Sequence, residues 1–99
     1  MVITLKKFGT ALISRQAGRE AFAALQPLIT AVAEGENIVA DFDGVITLAP
    51  SWGDEFLTPL REKYAGRLLL TNIHNNPSVT ASLEILEKSR GLEFRIADQ

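Results

Sequence analysis

Ile38-Val39-Ala40-Asp41-Phe42-Asp43-Gly44-Val45 begins as an apolar run without helical spacing and ends in two acids and a glycine. Residues 38–42 are therefore expected to form a short strand covered on both faces, since a half-covered strand alternates and a helix spaces its apolar residues by three and four. Asp41 and Asp43 then lie at its carboxyl end, where an acid accepts backbone N–H bonds in the turn that Gly44 completes. Leu68-Leu69-Leu70, inside residues 67–73, reads as a second buried strand of the same kind. Between the two, Ser51 opens a helix, with Asp54 as its reciprocal cap, Phe56, Leu60 and Tyr64 on one face, and Gly66 as its stop.

Upstream, residues 2–5 are β-branched and unbroken, which suits a first strand, and residues 11–13 suit a short extended piece. Ser14 is placed to cap a helix whose stripe is Phe22, Leu25, Ile29 and Val32, closed by Gly35 and bent at Pro27. Downstream, Asn76-Pro77 is an N-cap and first-turn pair. The helix it starts turns Val79, Leu83 and Leu86 inward and stops at Gly91. Residues 92–96 alternate Leu92, Phe94 and Ile96 with Glu93 and Arg95, as an edge or half-covered strand does. Strands separated by helices make an α/β fold in which crossovers impose parallel neighbours.

The chain has 99 residues, of which 46% are hydrophobic and 22% charged, enough for one domain spanning residues 1–99 with a real core. A formal charge of -2 provides no cationic field for nucleic acid. With no cysteine, disulfides, thiolate catalysis and Cys-ligated metals are excluded, and a single histidine leaves no triad or His-rich metal site. No metal or cofactor is expected. Residues 21–33 are the longest apolar-rich stretch and are broken by Gln26, Pro27 and Thr30, so no membrane span is expected. Residues 8–13 are too short for a signal-peptide core, and a cytoplasmic location is the expectation.

Several short motifs recur together in one order. Phe8-Gly9, Leu12-Ile13-Ser14-Arg15, Gly18-Arg19-Glu20, Asp41-Phe42 with Gly44-Val45, and Ser51 followed by Asp54-Glu55-Phe56 resemble the STAS-like domain family of unknown function. Related STAS domains include the anti-anti-sigma factors. The resemblance runs from about Phe8 into the third helix. It implies a four- or five-stranded mixed sheet with about three helices packed mainly on one side, serving as a non-catalytic protein-interaction module. Ser51 corresponds to the helix-start serine that a partner kinase phosphorylates in anti-anti-sigma factors. The implied partner is a kinase of the histidine-kinase ATPase fold or an anti-sigma-type regulator, and a homo-oligomer is compatible with the sequence. Ala49 stands where those factors typically have an aspartate, and Trp52-Gly53 replaces a small pair.

The chemistry of Ser51 stands apart from the resemblance. A phosphate there would add about -1.5 to -2 charge at a helix N-terminus, which favours an anion. A partner docked on that helix would have to pair or desolvate the new charge. Candidate contact residues around it are Trp52, as exposed anchor or core filler, Asp54, Glu55 and Asp43. Arg15 and Arg19, one helical step of four apart, form an anion or carboxylate clamp or a salt-bridged face. Asn72, His74, Asn75 and Asn76 follow a strand's carboxyl end, as turn residues or the edge of a small-molecule pocket.

One alternative belongs to another class. Residues 38–45 also look like the first motif of haloacid-dehalogenase-type phosphatases, with Asp41 as nucleophile and Asp43 as acid/base. Leu68-Leu69-Leu70-Thr71-Asn72 looks like their second motif. Such a hydrolase also needs a charge-offsetting lysine and a late acidic pair for magnesium, for which Asp98 is the only candidate. The known fold is much larger and begins with the nucleophile strand, whereas here a strand and a helix come first.

Overall fold

The two apolar runs are the central strands of a four-stranded sheet in the computed structural model, which describes residues 1–97. In chain order the elements are β1 (Val2–Thr4), β2 (Ala11–Leu12), α1 (Arg15–Ile29), β3 (Ile38–Asp41), β4 (Thr47–Leu48), α2 (Pro50–Tyr64), β5 (Leu68–Thr71), α3 (Pro77–Arg90) and β6 (Arg95–Ile96). Short 3-10 turns occupy Leu5–Phe8 and Ala65–Arg67. Asp98 lies outside the described residues.

The main sheet has the order β1-β3-β5-β6, and every pairing in it is parallel. The mixed sheet that the resemblance implied gives way to a wholly parallel one, because a helix crosses between each neighbouring pair and returns the chain to the same end. Strands are added in one direction, and right-handed crossovers of that kind lay successive helices on one face. The register agrees. Ile3, Ala40 and Leu70 form a buried row, while the row Val2, Val39, Leu69 and Arg95 on the other face is exposed or half-buried. The strand at 38–41 is therefore covered on one face only, contrary to the sequence reading. The result is an α/β platform compatible with a STAS-like fold.

β2 and β4 pair in parallel as a separate small sheet. The Leu12 carbonyl accepts from Ala49 N–H at 2.8 Å, and this bond fixes where α2 begins relative to α1. β4 has no counterpart in the sequence reading. Two residues are too few to carry a periodic pattern.

The helices follow their local signals with three exceptions, two of them at C-terminal ends and the third at the start of α2. Ser14 caps α1, its Oγ accepting from Ala17 N–H at 3.0 Å, and Asn76 caps α3 by accepting from Val79 N–H at 3.2 Å. Val79, Leu83 and Leu86 are buried, and Gly91 ends α3 in the left-handed conformation at φ 64°. The first exception is the end of α1, which closes at Ile29 rather than near Gly35. Pro27 runs within the helix but has no N–H to give, and the chain leaves it through three-residue bonds from Ala31 to Leu28 and from Val32 to Ile29. Val32 is half-buried just past the helix. The second is the stop of α2, where Ala65 takes φ 51° and Gly66 falls inside the following turn. No helix among the described residues is long and apolar enough to cross a membrane.

Candidate functional site

The N-terminus of α2 does not have the cap that the sequence suggests. Ala49 is the N-cap residue, in extended conformation and without a side-chain bond to the helix, and Pro50 takes the first helical position. Proline fits there because its missing N–H has no intrahelical partner to lose. Ser51 is consequently the second helical residue, and the Ser51–Asp54 capping box is corrected. The Ser51 hydroxyl is half-buried and has no partner among the described residues. It lines a surface cleft of about 340 Å³ with Arg15, Asp54, Ile85 and Arg90.

Asp54, which the sequence suggests as a capping or partner-contact residue, is the knot between three helices. Its side chain is 7% exposed and accepts from Arg90 of α3 at both oxygens, with Nε to Oδ1 at 2.8 Å. Arg15 of α1 reaches the same carboxylate with Nη1 at 3.0 Å from Oδ2. A buried carboxylate needs such partners, since desolvation alone would push its proton affinity up. The hydrogen bonds from Arg90 first, with those from Arg15, outweigh the upward push of burial and hold the Asp54 pKa down to about 2.

Glu55 extends the network toward solvent. Arg19 Nε donates to it at 2.9 Å and Arg15 Nη1 at 3.1 Å, and the Arg19 bond leads in lowering its pKa. Arg15 and Arg19 thus form the carboxylate clamp, and its ligands are acids of the same chain. Arg15 at a helix start opposes the dipole, and two carboxylates of α2 offset that cost. Three guanidiniums meet two carboxylates in direct ion pairs, and Glu62 of α2 adds a third acid that acts on Arg90.

Close approach of the backbones makes this network possible. Gly18 of α1 lies against Trp52 of α2 so tightly that a Cβ would come within 2.6 Å of the Trp52 carbonyl oxygen. That contact lays Arg15 and Arg19 over Asp54 and Glu55. The exposed-anchor reading of Trp52 is corrected as well: it is 1% exposed, stacked on Phe56 at 4.8 Å between ring centroids, with Phe8 beside both rings. The first turn of the helix points this side chain inward, and burying an aromatic of this size outweighs any single surface contact.

The carboxyl end of the sheet holds the other acids. Asp41 Oδ1 accepts from Asp43 N–H at 3.0 Å and from Asn72 Nδ2 at 2.7 Å, which makes it the turn device expected before Gly44, itself at φ 84°. Asp43 is exposed and does not line the Ser51 cleft. Asn72 and Asn75 adopt positive φ of 59° and 68°, His74 is exposed between them, and Asn76 Nδ2 donates to the Val45 carbonyl at 2.9 Å. These bonds are turn chemistry. Among the described residues no group of three or more acids and histidines is placed to hold a metal ion.

Arg90 and Ile85 of the cleft were not singled out from the sequence. Arg90 reads locally as a base complementing the end of α3, and nothing in its neighbourhood announces a carboxylate 36 positions earlier. Comparison with known proteins adds no relatives: no family model, no curated protein and no solved structure matches the chain.

Proposed function

We propose that this protein is a non-catalytic, STAS-like protein-interaction module whose contact surface is the amino-terminal end of α2, with Ser51 as the residue at which a kinase controls binding. The observation that carries the reading is the state of Ser51. Its hydroxyl is half-buried in an open cleft, is not spent on capping, and lies at a helix end that favours added negative charge. The fold should tolerate phosphorylation, because no bond among the described residues depends on that hydroxyl. A partner seated over the cleft would have to accommodate a dianion, at a cost of roughly a few kcal/mol in binding. The partner expected from the resemblance is a kinase of the histidine-kinase ATPase fold or an anti-sigma-type regulator.

Intact-mass measurement of the protein isolated from its native cell tests the modification, and capture of its partner by wild type and by Ser51→Asp tests the switch. A phosphate on Ser51 and at least about a tenfold change in partner affinity are expected. Equal capture by both forms would point to a purely structural domain. Magnesium-dependent phosphatase activity abolished by Asp41→Asn would instead favour the hydrolase reading.

A further inference from the structure

Ser51 and Asp54 are three residues apart on α2, hence on one face, and both line the cleft that Arg15 and Arg90 enter from the flanking helices. A guanidinium has five N–H donors. Arg90 uses Nε and Nη2 on Asp54, and Arg15 uses Nη1 on Asp54 and Glu55. Arg90 Nη1 and Arg15 Nε and Nη2 have no partner among the described residues, and both side chains are about half exposed, at 51% and 47%. The cleft that the Ser51 hydroxyl lines therefore holds unspent guanidinium donors.

We propose that Arg15 and Arg90 are the receptor for a phosphate on Ser51, sharing it with Asp54 and thereby drawing the α1–α2–α3 clasp toward the modified residue. The proposal rests on the reading above that Ser51 is a modification site, and adds which groups read the modification. In the modifying step the Ser51 oxygen bonds to the terminal phosphorus of a nucleoside triphosphate held by the kinase. The bond from that phosphorus to the nucleoside diphosphate breaks, and the hydroxyl proton passes to a base of the kinase. The resulting dianion offers three terminal oxygens to planar donor forks, a better match than a single lysine-like point charge would find. Asp54 and Glu55 repel it from α2, and Glu62 acts on Arg90 from the same helix. The receptor thus works by recruiting idle donors while the existing carboxylate bonds persist.

The test installs phosphoserine at position 51 of the full chain by genetic encoding and follows the phosphate by 31P NMR against pH. In the wild-type background its second pKa should fall below the ordinary value near 6 by about half a unit or more. The helix end contributes to that fall in every variant, so the decisive comparison is with Arg15→Gln and Arg90→Gln. Each should return the titration part of the way, while Arg15→Lys and Arg90→Lys should return it less. Superimposable titrations in all backgrounds would overturn the receptor. Each single variant leaves the other arginine on Asp54, and a measurement without any variant stands beside them: the Arg15 Nε–H proton resonance should move downfield on phosphorylation, and a stationary resonance would also overturn it. Partner capture by phosphorylated and unmodified chains separates the two readings. Unaltered capture with a depressed titration removes the switch and keeps the receptor, whereas altered capture with an unperturbed titration does the reverse.

Discussion

Gly18→Ala sets two physical effects against each other with opposite signs. In a helix interior, alanine is more favourable than glycine by about 1 kcal/mol, so local propensity alone predicts stabilisation. The contact with α2 predicts the reverse. The added Cβ would lie 2.6 Å from the Trp52 carbonyl oxygen, 3.0 Å from its Cα and 3.2 Å from its carbonyl carbon. Comfortable separations are about 3.5 Å or more, and all three atoms belong to backbone that no rotamer change can move. α1 must therefore retreat by roughly half an ångström or more, loosening Ala21 and Leu25 on the same face. Overpacking of this kind costs about 1–3 kcal/mol. With the upper half of that range and the propensity gain subtracted, the net loss is about 1–2 kcal/mol, or roughly 5–15 °C in Tm for a chain of this size. Urea unfolding followed by fluorescence of the single tryptophan, with far-UV circular dichroism alongside, measures it. Ala24→Gly, at an exposed position of the same helix, calibrates the propensity term by losing about 1 kcal/mol. Should Gly18→Ala prove more stable than wild type, the close approach of α1 and α2, and the ion-pair network built on it, would be misdescribed.

Asp54 gives an acid limb to the stability. Its folded pKa, about 2, lies below the ordinary 3.8, so the unfolded chain takes up its proton first. The stabilisation is complete above about pH 4 to 5 and is lost as pH falls through the folded value; Glu55, also held low, acts in the same direction. Its size is about 1–2 kcal/mol, the half-exposed arginines trimming the full value of the shift. Asp54→Asn should flatten this limb and lower stability at neutral pH by a similar amount, as read from urea midpoints between pH 7 and about pH 3; an unchanged limb would contradict the clasp. Ala49→Ser supplies the missing N-cap in a backbone conformation already suited to it, φ -96° and ψ 147°, and should raise stability by about 0.5–1 kcal/mol. A variant no more stable than wild type in thermal unfolding would mean that Ala49 does not open α2.

What could be read from the amino-acid order was what short-range physics governs. The apolar run at 38–42, the leucines at 68–70, the caps at Ser14 and Asn76 and the glycine stop at 91 each act within a few residues, and each marks the expected element, although the two strands are covered on one face rather than both. Helices alternating with strands were enough to set the α/β class and the parallel direction. The capping box at Ser51 misled because a capping residue and its first-turn neighbours share one composition. The register was settled by the bond from Ala49 N–H to Leu12, far away in the chain.

The candidate site belonged almost wholly to the tertiary level. Trp52 was ambiguous as long as its neighbours were unknown, and only the arrival of Phe8, with Phe56 one turn along, made it core. Arg15, Asp54 and Arg90 are each ordinary surface residues when taken alone, separated by 39 and 36 positions. Charge acts through space with little regard for chain separation, so their meeting depends on how three helices stack on one face of a parallel sheet. The glycine at 18, which in sequence is merely a weak helix former, sets that spacing. Side-chain periodicity is a property of one element, whereas the place where a hydroxyl, a buried carboxylate and two guanidiniums converge is a property of the packing between elements.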